Sequence, residues 1–219
     1  KSLGNKGVLK TNSLGYDGKG QVRINENSNL FEVWEQLGSV ECVLEEELKY
    51  KREISIMYFK SLDNSDGFFP MSENYHKQGI LNKTIAPAII DKSIELDLRL
   101  KTKELSHNLN FYGVLAIELF ELTDGSILFN EIAPRPHNSF HWSIDGCDNS
   151  QFDILIRTIC GLPVKDVKSN GKWEMTNIIG EEINNLQDIF NNQDYTLHLY
   201  GKKQTKSGRK MGHYNIKII

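Results

Sequence analysis

The sequence has no long apolar run. Nothing in it approaches the roughly eighteen consecutive apolar residues that a spanning helix needs, so a helical membrane span is excluded. Cysteine is scarce and odd in number. Cys42, Cys147 and Cys160 lie far apart in no metal-ligand spacing, which excludes a disulfide framework or a zinc cluster and suits reduced thiols in a cytoplasmic protein. Charge of one sign is missing too: 26 basic against 29 acidic residues leave a dispersed net charge of −3, with no footprint for a nucleic-acid backbone. There is no internal repeat, no low-complexity tract and no Walker phosphate-loop spacing. The opening segment KSLGNKGVLKT is no secretory leader; it reads like a helix end running into a strand, as though the chain began inside a domain.

What remains is 219 residues, 39% of them hydrophobic and 25% charged, enough for one large or two small globular domains that need no staples. Apolar period places strands at 7–10, 21–24, 41–47, 53–59, 68–74, 111–122 and 126–133, with strand character again in the tail at 197–203 and 209–216. Helical spacing covers 29–38, capped by Asn27 or Ser28 and stopped by Gly38. It also covers 91–110, where Ile94, Leu98, Lys101 and Leu105 trace one face, and 150–161, which Gly161 and Pro163 end. The softest linker candidate is 162–172. This order favours an α+β architecture with mostly antiparallel sheets.

Four segments carry chemistry. Asp124-Gly125 between apolar runs predicts a two-residue hairpin loop with Thr123 paired to Ser126. Counting outward then sets Glu118 opposite Glu131. Like charges so opposed are destabilising and call for a shared proton or a cation. Mg²⁺ suits, because it takes one or two carboxylates and leaves its other positions to water and phosphate oxygens. The plainer reading is a half-exposed hairpin with incidental acids. The strand runs directly into EIAPRPHNSFHW, in which an acid, an arginine, two histidines, an asparagine and a serine crowd together while prolines prevent coiling.

Glycines 15, 18 and 20 in LGYDGKGQ free the backbone to approach a phosphate and Lys19 adds charge, although a hairpin tip turning at Asp17-Gly18 fits as well. Lys10 is a phosphate lysine or a solvated strand end. Glu45, Glu46, Glu47 and Glu53 are a solvated face or an adenine- and ribose-directed edge. Lys202, Lys203, Lys206, Arg209, Lys210 and His213 concentrate basic charge in the tail, suiting a phosphomonoester through an arginine fork and a lysine point charge, or forming an exposed cationic hairpin. His76, His107 and His198 stand alone and read as structural.

GYDGKGQ, NEIAPRPHNS followed by HW, SQFD and RKMGH together resemble the N5-carboxyaminoimidazole ribonucleotide synthetases of the ATP-grasp superfamily, over essentially the whole chain. The resemblance implies an ATP-grasp domain at 1–161 and the start of a small, β-rich C-terminal domain at 162–219. The family's N-terminal domain and the first part of its ATP-grasp domain are not in this sequence, which therefore reads as a fragment. It implies a carbon–nitrogen ligase of purine biosynthesis. ATP phosphorylates bicarbonate to carboxyphosphate, which carboxylates the exocyclic amine of 5-aminoimidazole ribonucleotide. By the same resemblance Lys10, Gly15, Tyr16, Asp17, Gly18, Lys19, Gly20 and Gln21 hold the ATP phosphates. Glu45, Glu46, Glu47 and Leu48 frame the adenine; Glu53, His76 and Asn130 complete the nucleotide site. Glu118 and Glu131 bind Mg²⁺, or Mn²⁺ in its place. Arg135, His137, Asn138 and Ser139 line the meeting place of bicarbonate and imidazole, with Arg135, His137 and Asn138 catalytic. Lys202, Arg209 and Lys210 hold the ribonucleotide phosphate.

Family members are typically homodimers acting on small molecules, without nucleic acid or membrane. Leu14 and Phe140 replace glycines of the family pattern, Phe140 within the expected substrate loop, whereas Ala133 follows the family. A sibling ATP-grasp ligase would share the nucleotide site but not RPHNS…HW with RKMGH. A non-catalytic nucleotide-binding remnant is the reading from another class.

Overall fold

The computed structural model describes residues 6–13 and 20–218. The chain divides into two compact units, Lys1–Tyr50 with Lys77–Ile80, and Lys51–His76 with Leu81–Ile219.

In the first unit β1 (Gly7–Thr11) lies between β2 (Gln21–Ile24) and β3 (Cys42–Glu45), both antiparallel to it. Helix α1 (Leu30–Gln36) starts one or two residues later than the capping signal suggests. Its cap is Asn29, whose side chain accepts from the Phe31 and Glu32 N–H groups. The expected caps are engaged in a turn of their own, with Asn27 N–H on Asn25 Oδ1 at 2.9 Å and Ser28 N–H on Asn25 O at 3.0 Å.

The second unit is built on a nine-stranded sheet. Its strands are β4 (Tyr50–Lys60), β5 (Asp66–Phe68), β6 (Ser72–Lys77), β7 (Ile80–Ala86), β8 (Gly113–Leu122), β9 (Ile127–Ala133), β10 (Trp173–Ile179), β11 (Tyr195–Leu199) and β12 (Lys210–Lys217). The spatial order is β11-β12-β10-β7-β6-β4-β8-β9, with β5 added to β4. The single strand expected at 68–74 is two, broken at Pro70, which has no N–H to give a ladder. Neither β7 nor β10 is announced by hydropathy, because each buries polar groups: Thr84 and Asn177 are 0% and 1% exposed and satisfied by hydrogen bonds. The linker candidate is pinned rather than loose. Phe68 N–H donates to Asp166 Oδ1 at 2.8 Å, and Val167 N–H donates to Phe68 O at 2.9 Å.

Strand alternation assigns the two faces of this sheet. Ile54, Ile56 and Tyr58 of β4 share a core with Leu115, Ile117 and Leu119 of β8, and α2 (Lys92–Asn108) packs there through Ile94, Leu98 and Leu105. Lys101 does not belong to that face. It is exposed and pairs with Asp97 at 2.7 Å, while Thr102 takes the buried position. On the other face Met57, Phe59, Val114 and Ala116 pack with Phe140 and with Ile154 of α4 (Gln151–Ile159; the short α3 is Ser143–Gly146).

Phe140 is fully buried, its ring edge-on to Phe69 at 5.9 Å. The residue that replaces the pattern's glycine is therefore a core side chain, not an intruder into a substrate loop. A 3-10 turn over Asn138–Phe140 rotates it inward. Phe140→Ala is expected to destabilise the fold by about 3–5 kcal/mol, the usual cost of emptying a packed phenylalanine site. Phe140→Gly should cost at least as much; urea unfolding followed by circular dichroism measures both, and a loss under about 1 kcal/mol would show that the site collapses freely.

Candidate functional site

The α4-side face of the sheet changes character along its strands. Where Met57, Phe59, Val114 and Ala116 stop, Glu53 and Ser55 of β4, Ser72, Asn74 and His76 of β6 and Glu118 of β8 continue it as a polar strip. Glu53, Ser55, Asn74 and Glu118 are all buried, so each needs a partner. Asn74 supplies several: its Nδ2 donates to Ser55 Oγ and, at 3.4 Å, to Glu118 Oε1, while its Oδ1 accepts from Thr84 Oγ1 at 3.1 Å. His76 Nδ1 lies 2.8 Å from Glu53 Oε2. Burial alone would lower the His76 pKa, but the bond to Glu53 and the charges of Glu53 and Glu118 outweigh it and leave the imidazole above its ordinary value.

Glu118 does face Glu131 in the ladder, but not through the loop that counting assumed. The turn holds three residues. Leu122 N–H donates to Ser126 O at 2.9 Å, Gly125 N–H to Leu122 O at 3.1 Å, and Gly125 takes φ +84° in the left-handed region. Asp124 Oδ1 holds the turn by accepting from Ser126 N–H at 2.9 Å and from its hydroxyl at 2.6 Å. The register is then off by one until a β-bulge between Glu118 and Leu119 inserts Asn130 as the extra residue of β9. Past the bulge the two glutamates are opposed.

Burial, with the negative charges of Glu131 and Glu53, pushes the Glu118 pKa up to about 7 against the opposing pull of His76 and Lys210. Among the described residues no group of three or more His, Cys, Asp or Glu side chains converges on a metal position. The donor set is instead two carboxylates, which fits a hard cation that keeps most of its shell for water and phosphate, and does not fit zinc.

The loop after β9 closes over the strip. His137 Nδ1 is 3.8 Å from Glu118 Oε1 and 2.8 Å from the hydroxyl of Ser139, which is fully buried and so serves the imidazole. Asn138 and Asn177 of β10 exchange two amide bonds at 2.9 and 2.7 Å, and Asn177 also donates to Leu81 O at 2.8 Å. Arg135 is exposed and donates to its neighbour's carbonyl, Pro136 O, at 3.0 Å.

From the tail, the charge of Lys210 reaches Glu118, His76 and His141. Lys202 Nζ donates to Lys210 O at 2.6 Å, and Arg209 donates to Gln204 O at 3.1 Å. His198, expected to stand alone, stacks on His213 at 4.6 Å, and His213 stacks on His141 at 5.0 Å. His198 Nε2 lies 2.8 Å from Asp145 Oδ2, and Tyr200 Oη lies 2.8 Å from His213 Nδ1. Sequence reasoning missed Asp145, Tyr200 and Asn215 in this cluster, since no period or spacing marks them.

In the first unit Lys10 Nζ meets Glu45 Oε2 at 2.5 Å across the β1–β3 pair, and Arg23 meets Glu47 at 2.9 Å. Gln21 stands opposite Lys10, and Gly20 has φ +74°. Glu46 is exposed and Leu48 half-buried, both just beyond β3. Leu14, Gly15, Tyr16, Asp17, Gly18 and Lys19 lie outside the described residues.

The ATP-grasp domain model matches residues 1–152. The chain belongs to the ATP-grasp family. A second model, the phosphoribosylaminoimidazole carboxylase C-terminal domain, matches residues 174–217. The chain is 38% identical over 214 residues to the N5-carboxyaminoimidazole ribonucleotide synthase of Brucella melitensis, covering 97% of this chain and 59% of that one. The Staphylococcus aureus N5-carboxyaminoimidazole synthetase complexed with ADP superimposes with a TM-score of 0.90 at 39% identity, over 98% of this chain and 58% of that one. The Aspergillus clavatus synthase complexed with ADP and 5-aminoimidazole ribonucleotide gives a TM-score of 0.84 at 29% identity, over 99% and 58%. The chain thus spans under three-fifths of the length of these relatives. Within this ATP-grasp chain the polar strip and the loop over it form one connected site in the second unit.

Glu118 gives that site a pH signature. Its folded pKa of about 7 exceeds the ordinary 4.5. Between those values the folded chain keeps a proton that the unfolded chain has released, so stability falls as pH rises through the window and levels off above it. Relative to Glu118→Gln, the parent protein should lose roughly 3 kcal/mol between pH 4.5 and 8. Urea unfolding at the two pH values measures this, and equal losses in parent and variant would show that the carboxylate is not held this way.

Proposed function

We propose that this protein is an ATP-dependent carbon–nitrogen ligase that carboxylates the exocyclic amine of 5-aminoimidazole ribonucleotide with bicarbonate, through carboxyphosphate. The observation that carries the reading is the convergence, within one unit, of the opposed Glu118–Glu131 pair, the His137–Asn138 loop and Lys210. The relatives named above are N5-carboxyaminoimidazole ribonucleotide synthases by name, and one of them holds 5-aminoimidazole ribonucleotide.

On this reading Glu118 and Glu131 hold Mg²⁺ or Mn²⁺, with Asn130 beside them; when bound, the ion offsets charge on the phosphoryl group being transferred. In the first unit Lys10, Gln21 and the glycine-rich loop are assigned to ATP phosphates, and Glu45, Glu46, Glu47 and Leu48 to adenine. Glu53 and His76 are assigned to the nucleotide, with Glu53 suited to ribose hydroxyls as an acceptor held in place by His76.

His137 and Asn138 border the reacting atoms. The double amide bond to Asn177 fixes Asn138, so its dipole costs little to reorganise when charge develops nearby. Arg135 supplies a guanidinium for bicarbonate or carboxyphosphate, with Ser139 supporting His137 from behind. Carboxyphosphate hydrolyses readily, so water exclusion and proximity to the amine are the fold's main contribution. Lys202, Arg209 and Lys210 are assigned to the ribonucleotide phosphate. A division at 161/162 belongs to the same proposal; the match over residues 174–217 supports it, although β10–β12 continue the sheet of the preceding segment. Dimerisation and a cytoplasmic location complete it, the latter suited by three free cysteines. No helix among the described residues is long and apolar enough to cross a membrane.

Coupling tests the reaction. In the full-length protein, phosphate release from ATP should rise at least tenfold when 5-aminoimidazole ribonucleotide is added in bicarbonate buffer, and Glu131→Gln should lower that turnover at least tenfold, about 1.4 kcal/mol in barrier. Equal ATP turnover with and without the ribonucleotide would point to a sibling ligase, and no ATP turnover at all to a nucleotide-binding remnant.

The tail makes a separate prediction. An arginine bond to a phosphomonoester contributes about 1.5–3 kcal/mol. Arg209→Ala should therefore raise the KM for the ribonucleotide by about ten- to a hundredfold and leave the KM for Mg-ATP within about twofold. Steady-state titration of each substrate reads both, and equal shifts would reassign Arg209 to ATP.

A further inference from the structure

Gln151 is fully buried at the first position of α4, and its side chain leaves its own helix to grip the loop over the site. The helix end that carries it is held firmly. Ser150 and Asp153 form a capping box, with Ser150 N–H on Asp153 Oδ2 at 2.9 Å and Asp153 N–H on Ser150 Oγ at 3.2 Å. Gln151 N–H donates to Ser143 Oγ at 3.0 Å, and that hydroxyl donates to Phe140 O at 2.6 Å.

The carboxamide makes three bonds. Its Oε1 accepts from His137 N–H at 2.8 Å, and its Nε2 donates to His137 O at 3.0 Å. Backbone N–H and C=O groups have fixed roles, so these two bonds settle which end of the amide is oxygen and which is nitrogen. The third contact, Nε2 to His141 Nδ1 at 2.7 Å, then has only one sense: the amide donates and the imidazole accepts. His141 therefore carries its single proton on Nε2.

We propose that Gln151 is a positioning residue: its carboxamide fixes the His137 backbone, and hence the imidazole beside Glu118, while locking the proton of His141 onto Nε2. The consequence for turnover rests on the function proposed above; the consequence for His141 does not. His141 is surrounded by Phe152, Tyr200 and His213, with His198 behind His213, and Asn215 Nδ2 bonds both His141 O and Asp145 Oδ2. Burial first, then the charges of Lys210 and His198, hold its pKa down to about 4, in keeping with an imidazole that must accept.

Gln151→Glu keeps the shape but removes both donors. In the full-length protein it should lower kcat at least tenfold, with the KM for Mg-ATP within about twofold, since none of the three bonds lost is made to a residue assigned to the nucleotide. It should also move the His141 titration, read by proton–nitrogen NMR, upward by more than one pH unit, because a carboxylate now faces Nδ1. Gln151→Met, which fills the space without any of the three bonds, guards against a misfolded acidic variant; it should show the same loss of kcat with a melting temperature within a few degrees of the parent. Both variants turning over like the parent would overturn the positioning role. If the parent shows no ribonucleotide-dependent turnover, the functional reading fails on its own, and the His141 titration decides: unmoved in Gln151→Glu, it overturns the assignment.

Discussion

Glu118 is a carboxyl group held under the face of a sheet, opposite a second carboxylate and near a third, and the surrounding strip is arranged around that burden. Desolvation penalises its charge, and Glu131 and Glu53 add to the penalty. His76 and Lys210 oppose it from β6 and the start of β12, while Asn74 offers a hydrogen bond. A half-satisfied buried network is worse than an apolar core, so each neighbour must itself be satisfied. Ser55 and Thr84 answer Asn74, and Glu53 answers His76. What is left over is negative charge next to a loop of cation and amide groups. That surplus is unfavourable in isolation and attractive to positive charge.

How far this was legible differs from residue to residue. The opposition of Glu118 and Glu131 was read correctly from Asp124-Gly125, yet by two departures that cancel. A three-residue turn shifts the register by one, and the bulge at Asn130 shifts it back. The dipeptide signals a hairpin but does not distinguish a two-residue loop from a three-residue one, and a bulge leaves no mark in hydropathy. The α2 face was legible because its period is long and regular. Only Lys101 was misplaced, since a period of 3.6 residues gives neighbours nearly equal claims on one face. Strands β7 and β10 were illegible for a chemical reason: Thr84 and Asn177 are buried polar groups, and hydropathy reads such groups as surface.

The loop shows the same limit from the other side. His137 and Asn138 were singled out because a polar, proline-stopped segment after an apolar strand is conspicuous. Their supports were not, because Gln151 and Asn177 act through amide groups on partners far off in sequence. An amide bonded to backbone imposes no pattern on the residues it holds. Phe140 makes the converse point. By pattern it stood in place of a glycine within an expected substrate loop, whereas a 3-10 turn makes it the anchor that ties that loop to Phe69 and the core.

The location of the site, by contrast, is written into a single strand. Along β4 the residues Ile54, Ile56 and Tyr58 are apolar and take α2, and beyond them Arg52 is neutralised by Glu73 and Glu121, so that face is closed by packing and by its own ion pairs. The alternate residues run Glu53, Ser55, Met57, Phe59: polar at one end, apolar at the other. A strand whose two faces keep the same character throughout can only be covered. One whose second face changes partway must be covered over half its length and left open to a polar partner over the rest. The same change occurs on β8 between Ala116 and Glu118, so the two strands place their polar ends together. Covering by α4 and Phe140 accounts for the apolar half. The polar half is where Glu118 lies against the His137 loop, and a functional site can form there because packing does not claim that surface.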